Sequence, residues 1–312
     1  MEEKLCNKRK LGNSDIYLSP LGFGCAGAWG KSLFGKPMIS YEEAKALILR
    51  SLDLGITYFD TGHNYGFAEE RLGQILAETG INRKDIILST KFGERAVGSD
   101  WLKDFSVNRM RESFELSLKR LKTDYIDLFM CHGGDVSDLK TQLLEALFDL
   151  KKKGAVRAVG INTFSDEVIN YVKNTKCFDF VMLDYNIMRR DREPVIKELY
   201  DRKIGVIAGV ALSQALYSRS LFKVRHRKDL WYIARCYARF KEQFKKSGGY
   251  RFINGHKEFS AAQAALNYTL QNKYISSALF GTTSLKHLEE NVKAVYIEIP
   301  KEIIEKIKKQ GE

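Results

Sequence analysis

Short apolar runs alternate with amphipathic segments along most of the chain. Each run is brief and almost continuously apolar, which is typical of strands in a parallel sheet that is buried on both faces. We identify seven such runs: Ile56–Phe59, Ile86–Leu88, Ile126–Met130, Val156–Ile161, Phe180–Leu183, Gly205–Ala208 and Ser277–Phe280. Segments with helical spacing lie between them: Glu42–Leu54, Glu69–Glu78, Val107–Leu121, Leu139–Lys152, Asp166–Asn174, Glu193–Asp201 and Lys286–Ala294.

The ends of the predicted helices carry the residues that helix ends prefer. Ser40 stands three residues before Glu43, which is the spacing of a capping box, and Ser106 and Ser165 precede two further helices. The glycines at the helix stops are Gly55, Gly80 and Gly154. These local signals support the alternation of strands and helices.

The alternation predicts the fold class. No linker rich in proline, glycine or serine interrupts the 312 residues, so we expect residues 1–312 to form a single domain. Its fold would be an α/β (β/α)8 TIM barrel with an N-terminal β-hairpin and a helical insertion between strands 7 and 8. A doubly wound Rossmann sheet is the alternative, but the glycine-rich stretch LGFGCAGAWG is not a GxGxxG that enters a helix.

The insertion is expected within Gln214–Phe259. Its apolar residues Leu230, Ile233, Ala234, Tyr237, Phe240 and Phe244 follow helical spacing. In a barrel, an insertion after strand 7 lies at the C-terminal face, where active sites are found.

Composition narrows the class of protein. Hydrophobic residues make up 44% and charged residues 29%, as in soluble globular proteins. No apolar run is long enough to span a membrane, and MEEKLCNKRK does not resemble a secretory signal, so we expect a cytoplasmic protein with no membrane partner. The cysteines, Cys6, Cys25, Cys131, Cys177 and Cys236, are scattered, which argues against a disulfide framework or a metal site.

The formal net charge of +12 is concentrated in one segment. Between Arg219 and Arg251 there are eleven lysines and arginines against Asp229 and Glu242. A solvated helix face is one interpretation, and an anchor for an anionic group of the substrate is the other. The residues concerned are Arg225, His226, Arg227, Lys228, Arg235 and Arg239. Because no nucleic-acid-binding fold accompanies them, we expect no nucleic-acid partner.

Four chemically capable side chains fall at or after successive strand ends. Asp60 ends the strand that begins at Ile56, Lys91 the strand that begins at Ile86, and His132 the strand that begins at Ile126. These would be the second, third and fourth strands of the barrel, and Tyr65 follows Asp60 in the loop. Singly, each has an ordinary structural explanation, but in a barrel all four would meet at one rim. A lysine ammonium beside a tyrosine hydroxyl stabilises the tyrosinate, and a carboxylate keeps that lysine charged. An imidazole can hydrogen-bond a carbonyl oxygen, so the group suits carbonyl reduction.

These residues resemble the catalytic tetrad of the aldo-keto reductase superfamily. The resemblance extends through RKLGNSDIYLSPLGFG, DLGITYFDTGHNYGFAEERLG, ILSTKFG, DFSVNRMRESFELSLKRLKTDYIDLFMCH, GAVRAVGINTFS and FGTTSLKHLEENV, which cover nearly the whole chain. It implies that Tyr65 is the general acid/base, that Lys91 and Asp60 tune it, and that His132 orients the carbonyl. It also implies a hydride from NADPH, with NADH as the alternative.

The resemblance also implies a cofactor site across the barrel mouth. The pyrophosphate would lie under loops after strand 7, and the adenine against the helix after strand 8. The cofactor-binding residues expected are Gly24, Cys25, Ala26, Asp60, Asn162, Thr163, Met182, Gly209, Ala211, Leu212, Gln214, Gly281, Thr282, Thr283, His287, Glu290 and Asn291.

The sequence departs from the family pattern mainly on the cofactor side. Thr283 and His287, with Lys286 adjacent, stand where an arginine commonly grips the 2′-phosphate of NADPH. Asn162-Thr163 replaces a Ser-Asn pair, Met182 a glutamine, and Gly209 a stacking aromatic residue. The HxPD context becomes His132-Gly133-Gly134-Asp135, which predicts either a flexible loop or close approach of a bulky substrate.

The substrate is expected to be a small carbonyl compound, such as a sugar, a keto-sugar or a secondary metabolite. Tyr65 and His132 would contact it, and Trp29 and Trp101, with Phe34, would wall a ring or simply pack at the rim. The protein would act as a monomer or small homo-oligomer. The rival hypothesis is a cofactor-binding regulatory subunit on the same fold, like the relatives that partner ion channels.

Overall fold

The computed structural model of the chain describes most of its residues. They are Leu5, residues 7–26, 39–97, 100–218, Ile233, and residues 237–238 and 241–310, with only the backbone at 95–97 and 100–101. The predictions for Trp29 and Phe34 lie outside them, as do those for Leu230, Ala234 and Phe240 and for the basic residues Arg225, His226, Arg227, Lys228, Arg235 and Arg239.

Eight parallel strands form a closed barrel, which confirms the predicted fold class. The strands of the described chain are β1 Arg9–Lys10, β2 Tyr17–Leu18, β3 Leu21–Gly24, β4 Tyr58–Asp60, β5 Ile87–Phe92, β6 Glu94–Val97, β7 Asp100–Lys103, β8 Ile126–His132, β9 Val156–Asn162, β10 Phe180–Asp184, β11 Gly205–Gly209 and β12 Ser277–Phe280. Around the barrel the order is β3, β4, β5, β8, β9, β10, β11 and β12, and β12 pairs with β3.

The first barrel strand is not among the seven runs that the pattern indicates. Strand β3 has glycine at every second position, which removes the apolar signal. A Cβ on Gly22 would lie 2.5 Å from the Tyr58 ring, so the large side chain on the next strand requires glycine there. The strand is therefore recognisable from packing rather than from its own composition.

The predicted N-terminal hairpin is present and closes one end of the barrel. Strands β1 and β2 pair antiparallel. Leu11, Ile16 and Leu18 of the hairpin are fully buried in the same cluster as Tyr58 and Leu128 of the barrel interior. The N-terminal end of the barrel is thus filled with apolar side chains, and chemistry is left to the opposite rim.

Ten α-helices surround the barrel in the described part of the chain. They are α1 Tyr41–Asp53, α2 Ala68–Thr79, α3 Val107–Leu121, α4 Thr141–Lys152, α5 Asp166–Thr175, α6 Glu193–Asp201, α7 Lys241–Lys246, α8 Ala261–Gln271, α9 Leu285–Lys293 and α10 Lys301–Lys309. Their buried faces and the outward side chains of the barrel strands form the larger hydrophobic cluster. None of the helices so described is long and apolar enough to cross a membrane.

The predicted helix ends are confirmed. Ser40 and Glu43 form the capping box of α1, and Ser106 and Ser165 accept backbone hydrogen bonds at the starts of α3 and α5. Gly80 adopts the left-handed conformation at the end of α2. Helices α8 and α10 are additions that the sequence pattern does not indicate.

Candidate active site at the carboxyl ends of the barrel strands

A buried ion pair forms the floor of the site. Lys91 is 1% exposed and Asp60 5%, and the lysine Nζ lies 2.6 Å from each carboxylate oxygen of Asp60. The Nζ also donates to the carbonyl oxygen of Thr61 at 2.7 Å. Both residues come from neighbouring strands, since β4 pairs with β5. The two strand-end predictions therefore meet in one place.

The electrostatics keep this lysine protonated. Burial alone would lower its pKa, but the charge of Asp60, with Tyr65 and the hydrogen bonds to both groups, outweighs burial and raises the pKa of Lys91. Lys91 therefore holds a fixed positive charge beneath the site at neutral pH.

Asp60 is fixed from its other side as well. Ser89 donates to Asp60 Oδ1 at 2.6 Å, and the hydroxyl oxygens of Ser89 and Tyr58 are 3.1 Å apart. All three residues are buried. A carboxylate that accepts three hydrogen bonds, two from Lys91 and one from Ser89, has little freedom to turn away from Lys91.

Tyr65 and His132 lie above the ion pair and are only partly buried. The Lys91 Nζ is 4.9 Å from the centre of the Tyr65 ring. The rings of Tyr65 and His132 meet edge to face, with centroids 5.8 Å apart and planes at 85°. The structure thus brings all four predicted catalytic residues together, with Asp60 and Lys91 buried and Tyr65 and His132 partly exposed.

The loop between Asp60 and Tyr65 contributes two residues that sequence reasoning did not single out. His63 is buried, and its Nδ1 lies 2.6 Å from the carbonyl oxygen of Lys91, so Nδ1 carries the proton and donates. The amide Nδ2 of Asn64 is 3.3 Å from Nδ1 of His132. Their position inside FDTGHNYG, between two glycines, was the available signal.

A buried acid behind the loop holds it in place. Arg120 donates to the carbonyl oxygen of His63 at 3.2 Å and pairs with Glu69, also at 3.2 Å. The second oxygen of Glu69 accepts from Thr90 and Ser117, each at 2.6 Å. Strand β5 and helices α2 and α3 are therefore tied to the loop that presents Tyr65.

Burial, with the nearby charges of Arg109, Arg120 and Lys91, lowers the pKa of His63 to about 4 despite the hydrogen bond to Lys91. The imidazole is neutral at physiological pH. Its Nε2 is buried and has no hydrogen-bond partner within the described part of the chain.

The two glycines after His132 have a conformational explanation. Gly133 and Gly134 have φ of +75° and +93°, which side chains rarely adopt. A Cβ on Gly133 would lie 2.7 Å from a carboxylate oxygen of Glu94, and one on Gly134 would lie 2.9 Å from the Phe105 ring. Space at both Cα atoms is already filled by protein, so these glycines serve the turn and its packing.

The predicted cofactor residues lie around the same rim. Gly24 pairs with Asp60, and His132 pairs with Asn162. Cys25 and Thr163 are buried, and Ala26 is exposed. The amide of Asn162 donates to the carbonyl oxygen of Met182 at 3.3 Å. The remaining predicted residues follow strands β11 and β12 or lie on α9: Ala211, Leu212, Gln214, Gly281, Thr282, Thr283, His287, Glu290 and Asn291.

Met182 and Gly209 form a matched pair. Met182 is 3% exposed and belongs to the cluster inside the barrel. A Cβ on Gly209 would lie 3.3 Å from Met182 Cγ, so the thioether side chain fills the space beside the glycine. The two departures from the family pattern are thus coupled through packing.

The loop after β11 is strained. Val210, Ser213, Gln214 and Ala215 have φ of +54°, +48°, +56° and +56°. Such values are unfavourable for residues with side chains, and a β-branched valine is an outlier there. The turn is held by the Val210 carbonyl oxygen, which accepts from Ser213 N at 2.8 Å and from the Asn186 amide at 3.2 Å.

Ser213 offers an unused donor in that loop. It is 3% exposed, and its Oγ has no hydrogen-bond partner among the residues that the structure describes. A left-handed turn with an unpaired hydroxyl has the geometry and the donor to bind an anionic oxygen. Ser213 itself is not among the residues that the sequence predicted, although its neighbours Leu212 and Gln214 are.

The loop after β12 meets the end of β3. A Cβ on Gly281 would lie 2.9 Å from the carbonyl oxygen of Gly24, so glycine is needed for this approach. Ser284 caps α9 by accepting from His287 N. Lys286 is 81% exposed on the first turn and 3.9 Å from Glu290. A helix start with an exposed cation on its first turn has the chemistry to bind an anionic group.

Trp101 lies in the hairpin β6–β7, which follows barrel strand β5, and its backbone pairs with Ala96. The hairpin also joins the rim through Lys103, whose Nζ is 3.7 Å from Asp135 in the loop after His132. Strands β6 and β7 therefore lie beside the loop that follows His132. Within the described residues, no group of three or more histidine, cysteine, aspartate or glutamate side chains is arranged to hold a metal ion.

Comparison with known proteins agrees with this geometry. Residues 20–312 match the family model described as "Aldo/keto reductase family". The uncharacterized oxidoreductase YqkF of Bacillus subtilis is 31% identical over 92% of this chain and 90% of its own length. The L-galactose dehydrogenase of Arabidopsis thaliana is also 31% identical, over 92% of this chain and 87% of its own.

A solved structure shows the same likeness in three dimensions. The holo form of aldo-keto reductase AKR11C1 from Bacillus halodurans superposes with a TM-score of 0.79 and 28% identity, covering 98% of this chain and 96% of that one. With the closed barrel, the strand-end constellation and the family match in agreement, the chain belongs to the aldo/keto reductase family and is an oxidoreductase.

Proposed function

We propose that the protein reduces an aldehyde or ketone to an alcohol with a nicotinamide cofactor, and that Tyr65 supplies the proton. The observation that carries this proposal is the buried ammonium of Lys91. It lies 2.6 Å from both oxygens of Asp60 and 4.9 Å from the centre of the Tyr65 ring. A fixed positive charge there stabilises the tyrosinate that remains after proton transfer.

Each of the four residues has a defined part in the reaction. His132 hydrogen-bonds the carbonyl oxygen, and the Tyr65 hydroxyl donates its proton to that same oxygen. When bound, a nicotinamide would supply the hydride for the carbonyl carbon. Lys91 stabilises the tyrosinate until water returns the proton, and Asp60 keeps Lys91 in place. The carbonyl thus gains one hydride and one proton.

We assign the phosphates of the cofactor to the strained loop and the start of α9. Ser213 Oγ and the backbone amides at the N-terminus of α9 would hold the pyrophosphate. Lys286 and His287 are exposed on the first turn of α9 and would meet a 2′-phosphate. NADPH is therefore the favoured cofactor. NADH is the alternative, because a lysine binds phosphate less strongly than the bidentate guanidinium of an arginine. Fluorescence titration of the purified protein with each dinucleotide decides between them.

A sugar-like carbonyl is the proposed substrate class. Support comes from the name of the Arabidopsis relative, L-galactose dehydrogenase. It also comes from the polar side chains beside Tyr65, since Asn64 and His132 contact each other there and are partly exposed. Aldoses, keto-sugars and aromatic aldehydes form the panel that tests this, and faster turnover of the aromatic aldehydes would contradict it.

Replacement of Tyr65 by phenylalanine tests the reaction itself. Loss of the proton donor lowers kcat/KM by about 10²- to 10⁴-fold, as expected for removal of a general acid, with no change in cofactor affinity. Tyr200→Phe is the matched control, since Tyr200 is 47% exposed on α6. A wild-type protein that binds the dinucleotide but turns over no carbonyl would instead support the regulatory-subunit hypothesis.

A further inference from the structure

Asn64 touches the imidazole of His132 at the edge of the mouth. Its Nδ2 lies 3.3 Å from His132 Nδ1. Asn64 precedes Tyr65 in the chain, and the Tyr65 ring packs edge to face on the same imidazole at 5.8 Å. Two consecutive residues therefore hold His132, one through an amide and one through a ring.

The amide contact has a consequence for the proton on His132. A side-chain NH2 group can only donate, so Nδ1 of His132 must accept. In a neutral imidazole the other nitrogen then carries the proton. Nε2 becomes the N–H donor of the ring, which is the state needed to hydrogen-bond a carbonyl oxygen.

The loop is shaped to keep Asn64 in this position. A Cβ on Gly62 would lie 3.1 Å from Asn64 Oδ1 and 3.3 Å from the Tyr65 ring, so glycine leaves both side chains their space. The Oδ1 atom of Asn64 is buried and has no hydrogen-bond partner within the described chain. An unsatisfied amide oxygen is unfavourable, and the hydrogen bond from Nδ2 to His132 offsets part of that cost.

We propose that Asn64 is a positioning residue that holds His132 in the Nε2–H form, so that the imidazole presents a donor to the substrate carbonyl oxygen. This inference rests on the proposed function for the identity of the acceptor, but the tautomer itself does not depend on turnover. Exchange of Oδ1 and Nδ2 of Asn64 would give the opposite tautomer, with Nδ1 protonated and Nε2 unable to donate.

NMR on ¹⁵N-labelled protein tests the tautomer directly. Two-bond ¹H–¹⁵N spectra report which ring nitrogen carries the proton, and the His132→Gln variant identifies the signals among the five histidines. We expect the Nε2–H form in the wild type and a mixture of tautomers in Asn64→Leu. In Asn64→Asp the carboxylate accepts, so Nδ1 becomes protonated. Asn174→Leu, at an exposed position on α5, leaves His132 unchanged.

An Nδ1–H signal for His132 in the wild type would overturn the proposal, as would an unchanged tautomer in both Asn64 variants. The wild-type spectrum alone shows which ring nitrogen of His132 carries the proton, so the proposal can be tested even if a variant fails to fold.

Kinetics add a second readout. Asn64→Leu lowers kcat/KM by roughly 3- to 10-fold, the effect of one hydrogen bond, with unchanged cofactor affinity. If the tautomer of His132 changes in the Asn64 variants but the wild-type protein turns over no carbonyl, only the proposed function is refuted. If the protein turns over carbonyls but the tautomer of His132 is the same in the wild type and in the Asn64 variants, only the present inference is refuted.

Discussion

The two sides of the barrel mouth are built differently. On the side of β4, β5 and β8, the charged groups are buried and paired, and Asp60 accepts from both Lys91 and Ser89. On the side of β11 and β12, the backbone of Val210 and Ser213–Ala215 is strained, and the Ser213 hydroxyl has no partner within the described chain. One side is therefore defined by a buried ion pair, whereas the other is defined by strained backbone.

The difference matches the two tasks proposed for the mouth. Groups that stabilise charge in a reaction work best when they are fixed before the substrate arrives. A loop that binds a large anionic cofactor can instead remain strained and incompletely hydrogen-bonded until its ligand binds. In the ligand-free protein, substitutions that remove the ion pair on the first side should therefore lower the free energy of unfolding. Substitutions that relieve backbone strain on the second side should raise it.

The largest effect is expected from Lys91→Met. The substitution leaves Asp60 charged and buried without its partner, and removal of one member of a buried ion pair lowers the free energy of unfolding by about 3–5 kcal/mol. Denaturant unfolding followed by circular dichroism measures the change. Lys84→Met, at an exposed position before β5, is the matched control and should change stability by less than about 0.5 kcal/mol.

The double variant Asp60→Asn/Lys91→Met sharpens the same test. Because it removes both charges, it should recover a large part of the stability lost by Lys91→Met alone. If Lys91→Met were as stable as the wild type, the ion pair would not hold this side of the mouth, and the contrast between the two sides would fail.

The fold was predictable because its signals are local. Continuous apolar runs and helix caps such as Ser40 and Ser165 depend on neighbouring residues, and they mark strands and helices correctly. Strand β3 is one of the elements they miss, since Gly22 reflects the Tyr58 ring on another strand. Contacts between distant residues leave no periodicity in the sequence.

The site was predictable only in part, for the same reason. Parallel strands of a barrel end at one rim, so Asp60, Lys91 and His132 had to meet there. The roles of His63 and Asn64 depend on which way a loop side chain turns. Likewise, the contacts of Gly133 and Gly134 with Glu94 and Phe105 depend on residues distant in the sequence, and the two glycines alone did not reveal them.

An intermediate effect is expected from pH, through His63 on the side of β4 and β5. His63 has a pKa of about 4 in the folded protein, against about 6.5 in an unfolded chain. As pH falls from 7 to 5, the unfolded chain takes up a proton that the folded protein refuses. The free energy of unfolding therefore falls, and His63 contributes about 2 kcal/mol of that loss.

Urea unfolding of wild type and His63→Asn at pH 7 and pH 5 measures this contribution. The variant keeps an N–H donor near the Lys91 carbonyl oxygen but does not titrate, so its loss of stability should be smaller by about 2 kcal/mol. His287→Asn, at an exposed histidine on α9, should lose as much stability as the wild type. Equal losses in His63→Asn and wild type would mean that the imidazole is protonated without penalty.

The smallest effect, of opposite sign, is expected from Ala215→Gly on the strained side. Ala215 has φ of +56°, which disfavours a residue with a Cβ, whereas glycine adopts it freely. After allowing for the greater freedom of glycine in the unfolded chain, the variant should gain about 0.5–1 kcal/mol in ligand-free thermal or urea unfolding. Ala261→Gly, in the first turn of α8, should instead lose a similar amount. A loss in both variants would show that the left-handed turn carries no strain, and the two sides of the mouth would then differ only in charge.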